Sequence, residues 1–236
     1  MSLVMRPFLV VTLCACWVSP VLAQPHALLP DAMVEHFCRS SQISSGPEFD
    51  EITAIAARLA ADQPHIHIAL ANGSVINAWE VELSAGASLI CIPVSLVHFM
   101  GGAEGELAFI LAHEIGHATD ERCKSLSGRS RVAEQSGMGI ALAVLFGHSS
   151  GQEAGDQRAC EARADELGFN LMTRAGYDPE DAAAAFQRLS SGPGSSSTVP
   201  PLFARLAALG KDHPITPDRI RHVRKLIARR GTRQGP

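Results

Sequence analysis

Residues 106–118 read Glu-Leu-Ala-Phe-Ile-Leu-Ala-His-Glu-Ile-Gly-His-Ala, and the rest of the predicted fold is arranged around them. The apolar residues recur three and four positions apart, which predicts a helix with one buried stripe: Leu107, Ile110, Leu111, Ile115 and Ala118. His113 and His117 are four positions apart, so a helix places them on the same face, one turn apart.

Two imidazoles in this arrangement can bind the same zinc ion, with Zn–N distances of about 2.0–2.1 Å. Glu114 projects to one side of the pair, where its carboxylate would take a proton from the attacking water instead of binding the metal. The alternative is a helix that carries two histidines and a glutamate by chance. A pattern of only five residues does not exclude this alternative by itself. A second motif downstream favours the metal site.

That second motif supplies the remaining protein ligand. Glu161 and Asp165 are also four positions apart, so they share one face of another helix. Glu161 would complete a set of two histidines and one glutamate, with the fourth metal position left open. Asp165 would accept a hydrogen bond from the non-ligating nitrogen of a zinc histidine. The alternative is a solvated acidic face, which is the usual situation of such a pair.

The composition indicates one globular domain at residues 24–236, because 46% of the 236 residues are hydrophobic and 19% are charged. The formal net charge is −4 and no basic stripe precedes the C-terminal tail, so a nucleic-acid partner is not expected. Residues 1–23 combine Arg6, a short apolar run and a small-residue site before Gln24. They predict a signal peptide and a periplasmic or exported protein. An uncleaved membrane anchor and a lipid anchor at Cys16 are the alternatives.

Four cysteines follow residue 23, and in an oxidising compartment they could form two disulfides in three possible connectivities: Cys38, Cys91, Cys123 and Cys160. Cys123 follows the zinc helix and Cys160 precedes Glu161, so both must lie near the metal. This favours a Cys123–Cys160 bond, with cysteine ligation of zinc as the alternative.

The other patterns predict helices at 49–61, 161–175, 179–189, 202–209 and 215–230, and strands at 65–70, 75–83 and 88–94. Gly86 indicates a hairpin between the last two strands. Residues 149–156 are predicted as a loop and 190–201 as a flexible loop. The expected fold is therefore α+β and mostly helical, with a small sheet beside the zinc helix.

Three further segments have open interpretations. The apolar run 137–147 is either a buried helix or a flap that makes peripheral contact with a membrane. His65 and His67 alternate on a strand, where surface positions are more common than metal ligands. An extended substrate is expected to add to the sheet edge near residues 88–94.

Four stretches, in order, resemble one known family over about residues 50–225: Ile76-Asn77-Ala78, Glu106–Ala118, Glu161–Gly168 with Ala175–Pro179, and Asp212–Ile220. This is the HtpX-like and CAAX-prenyl-protease family of zinc metallopeptidases (family 48), and the chain is most similar to its small periplasmic members. The chain departs from the family at residues 80–86, where the family often has Pro-Gly-Gly.

The resemblance implies one zinc ion per chain, bound by His113, His117 and Glu161, with Glu114 as the base and Asp165 supporting a ligand. It implies that His213 lies near the zinc, either stabilising the oxyanion or blocking the fourth position, and that Arg219 supports this site. Asn77 and Ala78 would contact the substrate.

The implied activity is cleavage of misfolded or misassembled cell-envelope proteins, with outer-membrane proteins among the expected substrates. A zinc-containing chaperone or scaffold is the alternative outside catalysis. A zinc hydrolase acting on another kind of bond is the alternative within catalysis.

Overall fold

The computed structural model describes residues 29–83, 86–123, 151–191, 213 and 215–233. Its helices are α1 (Asp31–Cys38), α2 (Pro47–Leu59), α3 (Val94–Met100), α4 (Glu104–Thr119), α5 (Gly151–Arg174), α6 (Pro179–Ser191) and α7 (Pro217–Arg233). Its strands are β1 (Gln42–Ile43), β2 (Ile66–Ala71), β3 (Trp79–Glu82) and β4 (Ser88–Pro93). The predictions for residues 1–23, Cys16, 137–147, 202–209 and most of the loop 190–201 lie outside the described residues.

The strands form a four-stranded mixed sheet in the order β1-β2-β4-β3. β2 and β4 are parallel, whereas β1 and β3 run antiparallel to their neighbours. The mostly helical α+β fold is therefore confirmed, and so is the hairpin that joins β3 to β4.

All six residues of β4 are buried, because helices cover both faces of the sheet. Ile90 and Ile92 contribute to the larger core on the side of α4, whereas Leu89 and Cys91 pack with residues of α1 on the other side. A strand covered on both faces can be apolar at every position, which explains the continuous apolar run.

Helix α4 is the centre of the larger core. Every residue from Glu106 to Ala118 is buried, so the single buried stripe expected from the sequence underestimates the burial. The sheet, α2, α5 and α6 all contact this helix, and together they cover its whole circumference. The buried Glu106 carboxylate accepts hydrogen bonds of 2.6 and 2.8 Å from Arg188 of α6, which compensates its charge.

Three other local predictions need correction. Residues 151–156 belong to α5 and are not a loop, since the helix formers Gln-Glu-Ala at 152–154 extend the helix between two glycines. Strand β3 begins at Trp79, so the predicted strand 75–83 is too long at its start. Residues 88–93 form a central strand with neighbours on both sides, so they cannot be the edge to which a substrate adds.

Two glycines allow α4 and α5 to cross in close contact. A Cβ atom on Gly116 would lie 2.9 Å from the Ala164 carbonyl oxygen, and one on Gly168 would lie 2.8 Å from the His113 backbone nitrogen. Side chains at these positions would force the two backbones apart. The crossing therefore depends on glycine on both helices, and it brings Glu161 close to the histidines of α4.

We expect Gly168→Ala to destabilise the protein by about 1–3 kcal/mol, because the new methyl group overlaps backbone atoms of α4 that cannot move independently. Gly155→Ala is the matched control on the same helix, since nothing lies within 4 Å of its Cβ position. The control should be neutral or stabilising by about 0.5–1 kcal/mol. Denaturant unfolding measures both changes, and equal unfolding midpoints for Gly168→Ala and wild type would contradict this packing.

Two disulfides link described residues. Cys38–Cys91 joins α1 to β4, and Cys123–Cys160 joins the chain after α4 to α5. The predicted Cys123–Cys160 pairing is confirmed, and cysteine ligation of a metal is wrong for these four residues. No helix in the described parts of the chain combines the length and the apolar character that crossing a membrane requires.

Candidate metal centre

Four side chains from three parts of the chain converge where α4 crosses α5. They are His113 and His117 of α4, Glu161 of α5, and His213, and their potential ligand atoms all lie within 4.8 Å of one another. The first three residues are buried. Glu161 is 4% exposed, which excludes the solvated acidic face that its spacing also allowed.

The distances between these atoms fit a small tetrahedral ion. His117 Nε2 is 3.1 Å from His113 Nε2, and the two nitrogens are 3.4 and 3.5 Å from oxygens of Glu161. Atoms placed tetrahedrally at about 2.0–2.1 Å from one ion are about 3.3–3.4 Å apart. Imidazole nitrogens and a carboxylate are donors that a divalent transition metal prefers. The described residues can therefore hold a metal ion.

Asp165 lies behind the first histidine. The carboxylate is completely buried, and its Oδ1 is 2.9 Å from His113 Nδ1, the nitrogen that faces away from Glu161. A carboxylate at this nitrogen orients the ring and directs the lone pair of Nε2 toward a metal.

Arg219 of α7 connects both carboxylates of α5. Its Nε and Nη2 donate hydrogen bonds of 2.8 and 2.6 Å to Asp165, and its Nη1 lies 2.8 Å from Glu161 Oε2. Arg219 is itself buried. Its planar guanidinium compensates two buried negative charges, which would be costly to bury alone.

Glu114 is buried beside this cluster, but it does not belong to it. Its Oε2 has no hydrogen-bond partner among the described residues, and His213 Nε2 is 3.6 Å away. Buried polar atoms without a partner are uncommon, and one facing a metal centre indicates a place for water or a ligand.

His213 is the only described residue between 192 and 214. Its Nδ1 is 2.9 Å from Glu161 Oε1 and 3.4 Å from His113 Nε2. The structure therefore places it next to the other potential ligands, as the resemblance implied. His65 and His67 do not belong to the cluster.

Burial and hydrogen bonding shift the pKa values of the side chains in this cluster in opposite directions. Burial alone would lower the pKa of His113, but hydrogen bonds with Asp165 and Glu161 outweigh it and raise the pKa to about 9. Burial lowers the pKa of His117 to about 4. For Glu161, burial favours a raised pKa, but hydrogen bonds from the three imidazoles hold it far below its usual range. Since a metal binds the neutral imidazole, metal and proton compete for His113.

Burial also raises the pKa of Glu114 above its ordinary value, and the nearby charge of Glu80 adds to this shift. Glu80 is a buried residue of β3 to which the sequence interpretation gave no role. The sequence did contain one indication of this role: Glu80 is a charged residue within a short alternating strand, where each side chain must face one side of the sheet. A carboxylic acid with a raised pKa is better suited to accept a proton near neutral pH.

The residues expected to contact substrate precede β3. Asn77 is partly exposed, but Ala78 is 1% exposed and packs in the larger core. A contact between Ala78 and a substrate would therefore involve its backbone. The substrate role of both residues stays a prediction.

Comparison with known proteins adds independent information. The sequence profile of peptidase family M48 matches residues 48–227, which is more than half of the chain. The beta-barrel assembly-enhancing protease of Yersinia pestis is 25% identical over 185 residues, covering 67% of this chain and 37% of that protein. A protein of Vibrio cholerae serotype O1 that provisionally carries the same name is 27% identical over 141 residues, covering 52% of this chain and 28% of that protein.

The chain thus spans little more than a third of the first relative and less than a third of the second. The family match includes both helices of the candidate metal centre as well as α6 and most of α7. The family resemblance found in the sequence is confirmed. The chain belongs to peptidase family M48.

Proposed function

We propose that the protein is a zinc-dependent endopeptidase, with His113, His117 and Glu161 as ligands of one zinc ion and Glu114 as the general base. The buried Glu114 oxygen without a partner beside the cluster carries this proposal. A metal site used only for stability, as in the chaperone or scaffold alternative, would not require this carboxylate. When bound, zinc supplies Lewis-acid chemistry that polarises a peptide carbonyl and increases the acidity of water.

The protein side chains have separate roles in the proposed reaction: proton transfer, orientation of a ligand and support of the carboxylates. Glu114 takes a proton from the attacking water and later donates it to the leaving amine. Asp165 holds the ring orientation of His113, and Arg219 holds Asp165 and Glu161 in place. The burial of these groups excludes competing water and strengthens their electrostatic interactions.

We assign the substrate edge to β3 instead of β4. β3 is at one end of the described strand order and contacts α4, which carries the proposed base. An extended peptide can pair with the free side of an edge strand through its backbone. This arrangement favours unfolded or extended protein segments over folded substrates.

The physiological substrates that we propose are misassembled envelope proteins, including outer-membrane proteins. Two relatives are described by name as beta-barrel assembly-enhancing proteases, which supports this class. The proposal includes a periplasmic location with residues 1–23 as the signal peptide.

The test of the proposed activity is cleavage of unfolded casein by the purified chain. We expect cleavage with zinc, loss of cleavage after treatment with a chelator, and recovery when zinc is returned in a stoichiometry of one per chain. No cleavage by protein that retains its native fold and full zinc content would contradict the endopeptidase proposal.

His213 gives a further prediction with two opposed outcomes. Its Nδ1 lies among the proposed ligands, which supports a resting state in which the imidazole takes the fourth metal position. Removal of such a blocking ligand in His213→Ala should raise the basal rate on casein. If His213 instead stabilises the oxyanion, the rate should fall by about 100-fold or more. The rate is measured at equal zinc occupancy beside wild type, and an unchanged rate would contradict both roles.

A further inference from the structure

A cavity of about 690 Å³ lies between the first half of α5 and the first half of α7. Glu161 and Arg219 form part of its wall, so it directly adjoins the candidate metal centre. Its volume is within the range of about 300–1,000 Å³ that is typical of ligand sites. The cavity is therefore large enough for one or two residues of a peptide.

The described wall residues carry four cationic side chains and two acidic ones: Arg158, Arg219, Arg221 and Lys225, and Glu161 and Asp218. Arg219 is engaged by Glu161 and Asp165, and Arg221 pairs with Asp218. Among the described residues, no acidic side chain pairs with Arg158 or Lys225. Within the described part of the chain these two cations are therefore not compensated, although the chain as a whole has a formal net charge of −4.

His222 provides a second and independent observation. It belongs to the cavity wall, and its Nε2 is buried without a hydrogen-bond partner in the described part of the chain. An imidazole nitrogen can donate or accept a hydrogen bond, depending on its tautomer. Because this nitrogen is buried, the ring must turn before it can contact a ligand, and a polar ligand in the cavity would then supply the partner that it lacks.

We infer that the cavity is an acid-selective subsite, which binds an aspartate or glutamate side chain of a peptide whose scissile bond lies at the metal centre. Arg158 and Lys225 attract the carboxylate, and His222 Nε2 offers it a hydrogen bond. The inference rests on the proposed endopeptidase function. Glu161 belongs both to the cavity wall and to the metal centre, so the inference places the two binding positions next to each other on one peptide.

The test uses three matched sets of fluorescence-quenched peptides in which residues flanking the scissile bond are acidic, replaced by their amides, or replaced by lysine. For the wild type, we expect kcat/KM to be about five- to tenfold higher for acidic peptides than for amide peptides, the scale of two partly exposed ion pairs. The preference should decrease with added salt. The double variant Arg158→Glu with Lys225→Glu should lose the preference for acidic peptides over amide peptides, and it should cleave lysine peptides better than acidic ones.

Arg224→Glu is the matched control, because it makes the same charge change at an exposed position of α7 outside the cavity wall. It should retain the preference for acidic peptides. Equal rates of the wild type on acidic and amide peptides would overturn the inference, as would an equal loss of preference in the control and the double variant.

A binding measurement separates this inference from the proposed activity. The Glu114→Gln background is expected to slow turnover by at least about 100-fold, so fluorescence anisotropy reports the affinity for labelled acidic and amide peptides before they are cleaved. Tighter binding of the acidic peptide, lost in the double variant and kept with Arg224→Glu, supports the subsite even if no peptide is cleaved. Equal affinities would overturn the subsite, whereas a failure of casein cleavage alone would overturn only the endopeptidase.

Discussion

Glu114→Gln is expected to keep its metal and its fold, but to cleave casein at least about 100-fold more slowly than wild type, the scale of a general-base contribution. Glutamine has nearly the same shape as glutamate, but its amide cannot accept the proton of the attacking water. Glu114 lies outside the group of four potential ligands, so the change should leave metal binding intact. Its burial should make the change easy to accommodate, because a neutral amide is cheaper to bury than a carboxylate.

The measurement compares initial rates after metal content and thermal unfolding have been determined for each protein. Glu35→Gln is a suitable control, because it makes the same chemical change at an exposed position of α1, on the far face of the sheet. Its rate should equal that of wild type. A Glu114→Gln rate close to the wild-type rate at equal metal occupancy would exclude Glu114 as the base.

Local spacing accounts for much of what the sequence could predict about the site. His113 with His117 and Glu161 with Asp165 are pairs separated by four residues, and helix geometry alone places each pair on one face. The structure brings the two pairs together as those spacings suggested. Gly116 and Gly168 make that contact possible, and their positions inside two predicted helices were evident from the sequence, whereas their role in packing was not.

The features that local pattern could not predict depend on tertiary packing. The order of strands in the sheet depends on which strands pair, so β4 has a neighbour on each side and β3 lies at one end of the described strand order. Similarly, Arg219 is far from Asp165 in sequence. Its guanidinium binds the Asp165 carboxylate only because α7 packs against α5. Its supporting role could be inferred from the family resemblance, but its partner atoms could not.

The contacts among Glu161, Asp165 and Arg219 lead to a prediction that distinguishes a metal ligand from a residue that only holds a ligand in place. Glu161→Ala should lose its metal on dialysis, because it removes a ligand and one negative charge from the centre. It also removes the oxygen that lies 2.8 Å from Arg219 Nη1, so that N–H group loses its partner and Asp165 alone compensates the guanidinium. Asp165→Ala should retain metal with an affinity reduced by roughly 10–100-fold, because it releases the His113 ring and the Arg219 guanidinium but removes no ligand.

Glu166→Ala is the control for both variants, since it removes an exposed carboxylate from the same helix and should bind metal like wild type. Atomic absorption after dialysis measures the metal content, and competition with a chelator measures the affinity. The combined Glu161→Ala and His213→Ala variant shows whether His213 replaces the missing ligand, because any metal retained by Glu161→Ala should then be lost. If Asp165→Ala loses more metal than Glu161→Ala under the same conditions, Asp165 is the ligand and Glu161 the supporting carboxylate.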